Sequence, residues 1–387
     1  MLERHHWRDF VAVTASVAVL GVGVGSTLPL TALVLTARGL GPEVVGWMTA
    51  AVAAGGIAGT LAAPAATLRY GRRLVMLAGV VLAAASVIPL QYVDSLWAWA
   101  ALRAVFGASV APLFVIGDAW INSLPQDAVR GRVVALYTAS FTLCQVAGPL
   151  LTGALASIPQ HAFSIGGAAF LLGLPGIALA RDGAAPERGA DVGKDGAASW
   201  RAIVRSAPSI VAGAALFAAF DNIVLSFLPV FALDRGLGRN RALAAVMLVF
   251  IGDAALQLGV GWLSDRLGHA RVHRLAGLGM CGLLPLLPWM VSIPGLWEIY
   301  LVVLGGVAGS VYTLSLVSSG ERFSGAALLR ASSLIALTWS LSSLVGPAAT
   351  GIVMQRFGSG AMTAVVFGMS VIFTAATRFE RHSAPVR

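Results

Sequence analysis

The sequence predicts an all-α polytopic membrane protein with twelve transmembrane helices, arranged as two parallel repeats of six. The first reason is composition: hydrophobic residues make up 58% of the 387 residues and charged residues 11%, with a mean hydropathy of +0.84. A water-soluble core of this size needs a far more polar surface, so lipid must be the solvent. The second reason is a set of short sequence landmarks that occur twice, half a chain apart.

Apolar runs of membrane-spanning length recur along the whole chain. About 20 apolar residues carry a helix across the hydrocarbon layer, and the strand-like alternation that would indicate a barrel is absent. The predicted spans are roughly 10–36, 44–67, 74–93, 96–122, 133–157, 162–180, 208–233, 242–263, 275–293, 296–319, 333–355 and 360–377. They use most of the chain and leave no room for a soluble domain.

The duplicated landmarks predict how the spans are organised. The clearest one, Gly261–Arg271, has a first copy at 64–73 that matches it at fewer positions. Two others lie in spans 1 and 7 (Ser26–Leu30 and Ser226–Val230) and in spans 5 and 11 (Gly148–Gly153 and Gly346–Gly351). The second copies follow the first by 197 to 200 residues. Because six is even, both halves enter the membrane from the same side, which makes them parallel repeats.

A polar segment, Arg181–Ser206, separates a first bundle, 1–180, from a second bundle, 207–387. It is rich in Gly, Ala and charge, too polar for the bilayer and too poor in apolar residues to pack. We therefore expect a cytoplasmic central loop. Its last part, from Trp200, forms either a short interfacial helix leading into span 7 or a flexible tether.

Positive charge sets the predicted topology. With the amino terminus in the cytoplasm, cytoplasmic segments hold most of the 26 Lys and Arg residues. This positive-inside bias predicts that both termini are cytoplasmic, in the inner membrane of a cell. The net charge of +9 then reflects topology and anionic lipid headgroups rather than a nucleic-acid partner. We expect a monomer in the bilayer.

Three motifs carry a family resemblance. Gly261–Arg271 resembles the signature of the 2–3 and 8–9 loops in the major facilitator superfamily, and Arg103 with Gly107 resembles that superfamily's pattern in helix 4. Gln257–Arg266 and Gly320–Phe323 are similar to a YcaD-like branch of small bacterial permeases. The resemblance covers essentially the whole chain. It implies a secondary transporter in which spans 1, 4, 7 and 10 line a central cavity.

Asp221 is the strongest candidate for a working residue. It sits near the middle of span 7 beside Asn222 and one turn before Ser226, a polar stripe on an otherwise apolar helix. Ionisable groups inside a bilayer are costly and usually mark a pathway. A carboxyl kept from water favours its neutral form and exchanges a proton when water enters. We expect a proton or cation–substrate site; the alternative is a structural carboxylate bonded to a neighbouring helix.

Arg103 and Asp253 are the other charged candidates inside spans. A buried guanidinium needs a carboxylate or carbonyl partner, so Arg103 either binds an anionic substrate or responds to a protonatable Asp, or it is a fixed cation that ties span 4 to its neighbours. The resemblance implies a coupling role. Asp253 lies one turn before Gln257 in span 8, and it is either specific to this transporter or a polar link between helices.

Aromatic and amide side chains are candidates for shaping a substrate pocket. Gln145 follows Tyr137 and Phe141 on one face of span 5, and Tyr312 and Trp339 fall inside spans 10 and 11. The alternative for each is helix packing or interface anchoring. Glycine pairs such as Gly21/Gly25 and Gly55/Gly59 predict close helix contacts.

Two charged networks are expected at the cytoplasmic ends, on the strength of the resemblance. The first joins Asp118 to Arg72 and Arg73. The second is set by repeat symmetry and consists of Glu321, Asp265, Arg266 and Arg271. Such pairs bias a two-state equilibrium rather than touch substrate. The first-half counterpart of Asp265 is Leu68, so the first network must be built differently.

The function class that follows is a secondary active transporter of a small molecule. A nucleotide-binding lysine motif and intramembrane hydrolase motifs are absent, so we expect no enzyme activity, no cofactor and no metal, with all six histidines at loops or ends. A proton or another ion gradient then drives transport. Efflux of a lipophilic or cationic solute is slightly favoured over uptake or exchange of a metabolite such as a sugar or organic acid. A non-transporting sensor is the remaining alternative.

Overall fold

The computed structural model describes residues 4–123, 130–180, 200–323 and 325–379, and regular structure within these ranges is helical. The chain divides into two compact units. The all-α prediction is confirmed for this part of the chain.

The first unit takes in Met1–Arg38 and Trp47–Arg188. Its helices are α1 (Arg4–Ala37), α2 (Pro42–Tyr70), α3 (Arg72–Val87), α4 (Leu96–Ser123), α5 (Arg130–Leu155), α6 (Ala162–Ala169) and α7 (Leu174–Leu179). Three short 3-10 helical turns lie between these helices, at Ile88–Gln91, Pro159–His161 and Phe170–Gly173. Each turn has a proline within it or shortly after it, which fits the loss of a backbone donor at proline.

The second unit takes in Gly189–Arg387 and the segment Gly39–Gly46. Its helices are α8 (Trp200–Ser206), α9 (Pro208–Asp234), α10 (Arg239–Leu267), α11 (His269–Leu283), α12 (Leu287–Met290), α13 (Leu296–Arg322), α14 (Gly325–Phe357) and α15 (Met362–Ala376). Arg188 and Gly189, between which the two units divide, belong to the predicted segment 181–206, and the predicted bundle boundaries stay a prediction. The end of that segment is the short helix α8, whose Ile203 packs into an apolar cluster with Ile210 and Phe323.

Nine helical stretches of the described residues are long and apolar enough to cross a membrane. They coincide with nine of the twelve predicted spans. The other three predicted runs, 133–157, 242–263 and 275–293, fall on α5, on α10 and on α11 with α12. The multi-span helical architecture is thus confirmed, and the count of twelve spans is confirmed in part.

The backbone repeats at the same offset as the sequence. Gly39 and Gly71 have φ angles of 77° and 81°, and Gly236 and Gly268, each 197 residues later, have 80° and 88°. This left-handed region is open to glycine and costly for other residues. The same residue type therefore ends corresponding helices in both halves.

Glycine also sets how closely the helices pack. A Cβ atom at Gly55 would collide with the backbone carbonyl oxygen of Ala104 on α4, and one at Gly305 would collide with that of Val249 on α10. A Cβ at Gly25 would collide with the carbonyl oxygen of Gln145 on α5. The predicted close contacts at the glycine pairs are confirmed. Lipid supplies no hydrophobic drive between helices, so such close approach is a main source of association.

The first long helix of each unit is also its most buried span. In their most apolar stretches, α1 has 72% of its residues buried and α9 has 83%, against 61% or less in the other seven spans of the described residues. A helix enclosed on this scale is surrounded by neighbours rather than lipid. Polar groups on α9 therefore lie inside the protein.

Candidate functional site

Asp221 lies on the central helix of the second unit. Its side chain is partly exposed, and among the described residues it has neither a hydrogen bond nor an ion pair. The residues on either side along α9, from Leu216 to Phe220 and from Ile223 to Ala232, are buried. The carboxyl group therefore lacks a hydrogen bond and an ion pair among the described residues, although the helix around it is mostly apolar.

The two other members of the predicted stripe are placed differently. Asn222 donates to the carbonyl oxygen of Ala218 at 2.9 Å and to Ser343 Oγ on α14 at 3.0 Å. Ser226 is fully buried. Asn222 thus ties α9 to α14, whereas Asp221 is held by no such bond.

A second carboxyl group lies near Asp221. Asp253 on α10 is 8% exposed, and its carboxylate stands where a Cβ of Gly309 on α13 would be. The Asp221 and Asp253 carboxyls are close enough to interact electrostatically. Two carboxylates that share apolar surroundings disfavour each other's negative charge. The sequence did not predict that they would be neighbours.

Three aromatic rings meet one helical turn from this pair. Phe217 stacks on Tyr312 with ring centroids 5.4 Å apart, and Trp339 meets Tyr312 edge-on at 5.0 Å and Phe217 at 5.7 Å. The rings come from α9, α13 and α14. Phe217 precedes Asp221 by one turn of α9, so the ring cluster and the carboxyl group share a helix face. The sequence pointed to Tyr312 and Trp339 but not to Phe217, although its spacing from Asp221 was a readable signal.

Arg103 is placed in the interior of the first unit. It lies on α4 and is fully buried. Its Nε, Nη1 and Nη2 atoms have no hydrogen-bond partner among the described residues. Its Cζ lies 5.4 Å from the ring centroid of Phe106, which in turn meets Phe170 edge-on at 5.5 Å.

Gln145 lies at the contact between α1 and α5 and is 8% exposed. Its backbone carbonyl abuts Gly25. About two turns further along α5, Thr152 Oγ1 donates to the carbonyl oxygen of Ser26 at 3.0 Å. These contacts join two of the duplicated landmarks and serve packing within the first unit.

The residues of the predicted charged networks have varied surroundings. The Arg72 guanidinium lies over the Trp120 ring, with Cζ 4.0 Å from its centroid, and Arg73 donates to the backbone carbonyl of Ala178 in α7. Arg266 and Arg271 are exposed. The side chains of Asp118, Gln257, Asp265 and Glu321 lie outside those that the structure describes, so the expected pairings stay predictions.

One histidine lies where the sequence did not predict it. His273 is 1% exposed in α11, which corrects the expectation that all six histidines lie at loops or ends. Its Nε2 donates to the carbonyl oxygen of Val311 at 3.0 Å and lies 3.2 Å from Ser315 Oγ. Its ring meets that of Phe373 at 4.7 Å. The apolar residues Ala276 and Gly277, one turn along the same face, were a readable signal.

Comparison with known proteins identifies the family. The model of the Major Facilitator Superfamily matches residues 13–297. The uncharacterized MFS-type transporter YfkF of Bacillus subtilis is 25% identical over 366 residues, which cover 92% of this chain and 91% of that protein. The uncharacterized MFS-type transporter YcaD of Escherichia fergusonii is 22% identical over 332 residues, which cover 85% and 84%.

Solved structures share the fold. A D-xylose–proton symporter superposes with a TM-score of 0.76 at 15% identity, covering 98% of each chain. The nucleoside transporter NupG superposes with a TM-score of 0.74 at 11% identity, covering 98% of this chain and 100% of its own. Identities this low show the fold and leave the solute open. The chain belongs to the Major Facilitator Superfamily and is a multi-pass membrane transporter rather than an enzyme.

Proposed function

We propose that the protein is a proton-coupled secondary transporter that exports a lipophilic or cationic small molecule by alternating access. Asp221 is the proton-binding and solute-binding group. The sequence holds no motif for nucleotide hydrolysis, so an ion gradient or the solute gradient supplies the driving force.

The observation that carries this proposal is that Asp221 has neither a hydrogen bond nor an ion pair among the described residues. A carboxyl group fixed by an arginine or by backbone donors is held in its charged form and serves structure. Asp221 has no such partner among the described residues, although it lies on the most buried span. A group of this kind binds and releases a proton when its access to water changes.

The ring cluster of Phe217, Tyr312 and Trp339 supports the choice of solute. Aromatic faces attract cations and stack on planar apolar molecules, and the rings lie one helical turn from the carboxyl group. A cation that enters competes with the proton for Asp221, and this competition is the coupling step of an exchanger.

Uptake or exchange of a polar metabolite is the second candidate. It is favoured by the fold relationship to a D-xylose–proton symporter and a nucleoside transporter. Polar solutes need many hydrogen-bonding groups, and Asn222 and Ser343 bond each other. We therefore rank this function below cation export.

The test is proton-gradient-driven flux in liposomes that contain the purified protein. Ethidium and tetraphenylphosphonium serve as lipophilic cations, and xylose and uridine serve as polar solutes. We expect an imposed pH gradient to drive the cations across the membrane in the direction opposite to the flow of protons. Asp221→Asn should reduce this flux to the level of protein-free liposomes because the amide cannot exchange a proton.

The matched control is Asp94→Asn, which removes a fully exposed carboxylate that pairs with Arg38 at 3.6 Å. It should leave flux unchanged. Unaltered pH dependence in Asp221→Asn would rule out Asp221 as the coupling group. Movement of xylose or uridine in place of the cations would favour the second candidate.

A further inference from the structure

The first unit encloses a positive charge without a counter-charge. Arg103 is fully buried on α4, and the guanidinium group keeps its proton in proteins. Taking such an ion out of water is unfavourable unless hydrogen bonds and an opposite charge offset the lost hydration. The guanidinium carries five N–H donors, and none of its three nitrogens has an acceptor among the described residues.

Other arginines in the described part of the chain have the acceptors that Arg103 lacks. Arg38 pairs with Asp94, Arg274 donates to the carbonyl oxygen of Thr377, and Arg322 donates to that of Ser206. For Arg103 the one contact of this kind is the Phe106 ring at 5.4 Å. A ring face attracts a cation weakly and uses none of its N–H donors.

The first unit supplies no carboxylate for this charge among the side chains that the structure describes. The one described acidic side chain in Met1–Arg38 and Trp47–Arg188 is Asp94, which is fully exposed and already pairs with Arg38. The ring contacts of Arg103 are with Phe106 and, beyond it, Phe170. Because the described side chains of this unit supply no acceptor, the buried guanidinium points to an acceptor from outside the chain.

We propose that Arg103 is the binding site for a monovalent anion, with a carboxylate as the preferred ligand. One buried positive charge is neutralised by one negative charge, whereas a dianion such as sulfate leaves a net charge in apolar surroundings. The planar fork of the guanidinium also matches the two oxygens of a carboxylate. This anion is either a free ion or a carboxylate group that the transported solute carries beside the lipophilic or cationic part proposed to bind Asp221.

The site is independent of the proposed proton coupling at Asp221, which lies in the second unit. It requires access, because Arg103 is enclosed in this conformation. Anion binding therefore selects a conformation in which the group is reached, and it stabilises the folded protein increasingly as the ligand concentration rises above the dissociation constant.

The experiment measures the thermal unfolding midpoint of the purified full-length protein against sodium benzoate, acetate and sulfate at matched ionic strength. We expect a concentration-dependent rise with benzoate and acetate that exceeds any rise with sulfate, because the stabilisation by a bound ligand increases with its concentration. Arg103→Gln should abolish the rise. Arg103→Lys should weaken the apparent affinity at least about fivefold, because an ammonium group cannot form the two parallel bonds.

Arg38→Gln is the matched control, since it removes a more exposed arginine of the same unit, and it should keep the response of the parent protein. If Arg103→Gln does not fold, the Lys variant and the selectivity of the parent protein for benzoate over sulfate decide the matter. An equal rise in Arg103→Gln, or a rise of the parent protein with the carboxylates no larger than its rise with sulfate, overturns the proposal.

Radiolabelled benzoate in liposomes separates the two sources of the anion. Accumulation well beyond one benzoate per protein and beyond that in protein-free liposomes, at equal pH on both sides, indicates that the carboxylate is part of a transported solute. Binding of one benzoate per protein without accumulation indicates a free counter-ion. Either result is read without any measurement on Asp221, so failure of the anion site and failure of proton coupling remain distinguishable.

Discussion

His273 holds together three helices of the second unit. Its ring lies between α13, through Val311 and Ser315, and α15, through Phe373. Buried polar groups are stabilising when their hydrogen bonds are complete and costly when one partner is removed. The imidazole therefore serves packing, and no role in transport needs to be assigned to it.

Replacing His273 should lower stability in a way that depends on the hydrogen bond. His273→Ala leaves a cavity and removes the bond from Nε2 to the Val311 carbonyl, which keeps Ser315 Oγ as a donor, so we expect a loss of about 2 kcal/mol or more. His273→Gln keeps an N–H donor and should lose less. Thermal unfolding in detergent measures both variants. His161→Ala, at an exposed histidine, should have no effect, and an equal loss in the Ala and Gln variants would contradict the role of the hydrogen bond.

Some residue-level features follow from the sequence and others do not. A charged or amide side chain in an apolar run is visible at once, which is why Arg103, Asp221 and Asp253 could be singled out. Their partners are not visible, because α10 is apolar over most of its surface and gives no sign of which face meets a neighbour. The proximity of Asp253 to Asp221 depends on that rotation and needed the structure.

At the scale of helix pairs, the two halves differ at one duplicated landmark. Thr152 in α5 donates to the backbone of Ser26 in α1, while the corresponding Thr350 in α14 is buried and its hydroxyl has no partner among the described residues. The two threonines differ because the helices that they face, α1 and α9, present different groups at the contact. A Cβ at Gly148 would meet Gly25 itself, whereas one at Gly346 would meet the side chain of Ala219.

This difference predicts opposite results for the same substitution at corresponding positions. Thr152→Val removes a buried hydrogen bond and should cost about 1 kcal/mol. Thr350→Val replaces an unpartnered buried hydroxyl with a methyl group of the same size and should be neutral or stabilising. Thermal unfolding of the two variants side by side is the measurement, and each is the other's control. Equal destabilisation would mean that the α9–α14 contact also uses its threonine.

The helices themselves were largely predictable because their causes are local. Apolar runs of about 20 residues specify the spans, and glycines with positive φ end corresponding helices at Gly71 and Gly268. The 3-10 turns between the helices were less predictable from the sequence. A proline marks where a backbone donor is lost, but the surrounding packing decides whether the chain kinks, tightens or continues.

At the scale of the whole molecule, the buried charges are divided between the units. The described spans of the first unit enclose the cation Arg103, and those of the second enclose the carboxyls Asp221 and Asp253. Under the proposed function these groups do separate work, one on anions and the other on protons. A transporter of this kind must also expose its binding groups to the two sides in turn.

Alternating exposure is the central claim, and cysteine accessibility tests it most directly. Cys144 and Cys281 are unpaired, so both are first replaced by serine, and Ser343→Cys then introduces one thiol beside Asn222 and one turn from Trp339. A membrane-impermeant thiol reagent is applied from either side of oriented vesicles, with and without a pH gradient. Phe357→Cys, at a side chain 77% exposed, is the control and should label from one side under all conditions. We predict that reversing the pH gradient exchanges the side from which residue 343 reacts. The labelling rate from one side of the membrane should rise as the labelling rate from the other side falls. Labelling of residue 343 from one side only, or with both rates rising together, would contradict the account.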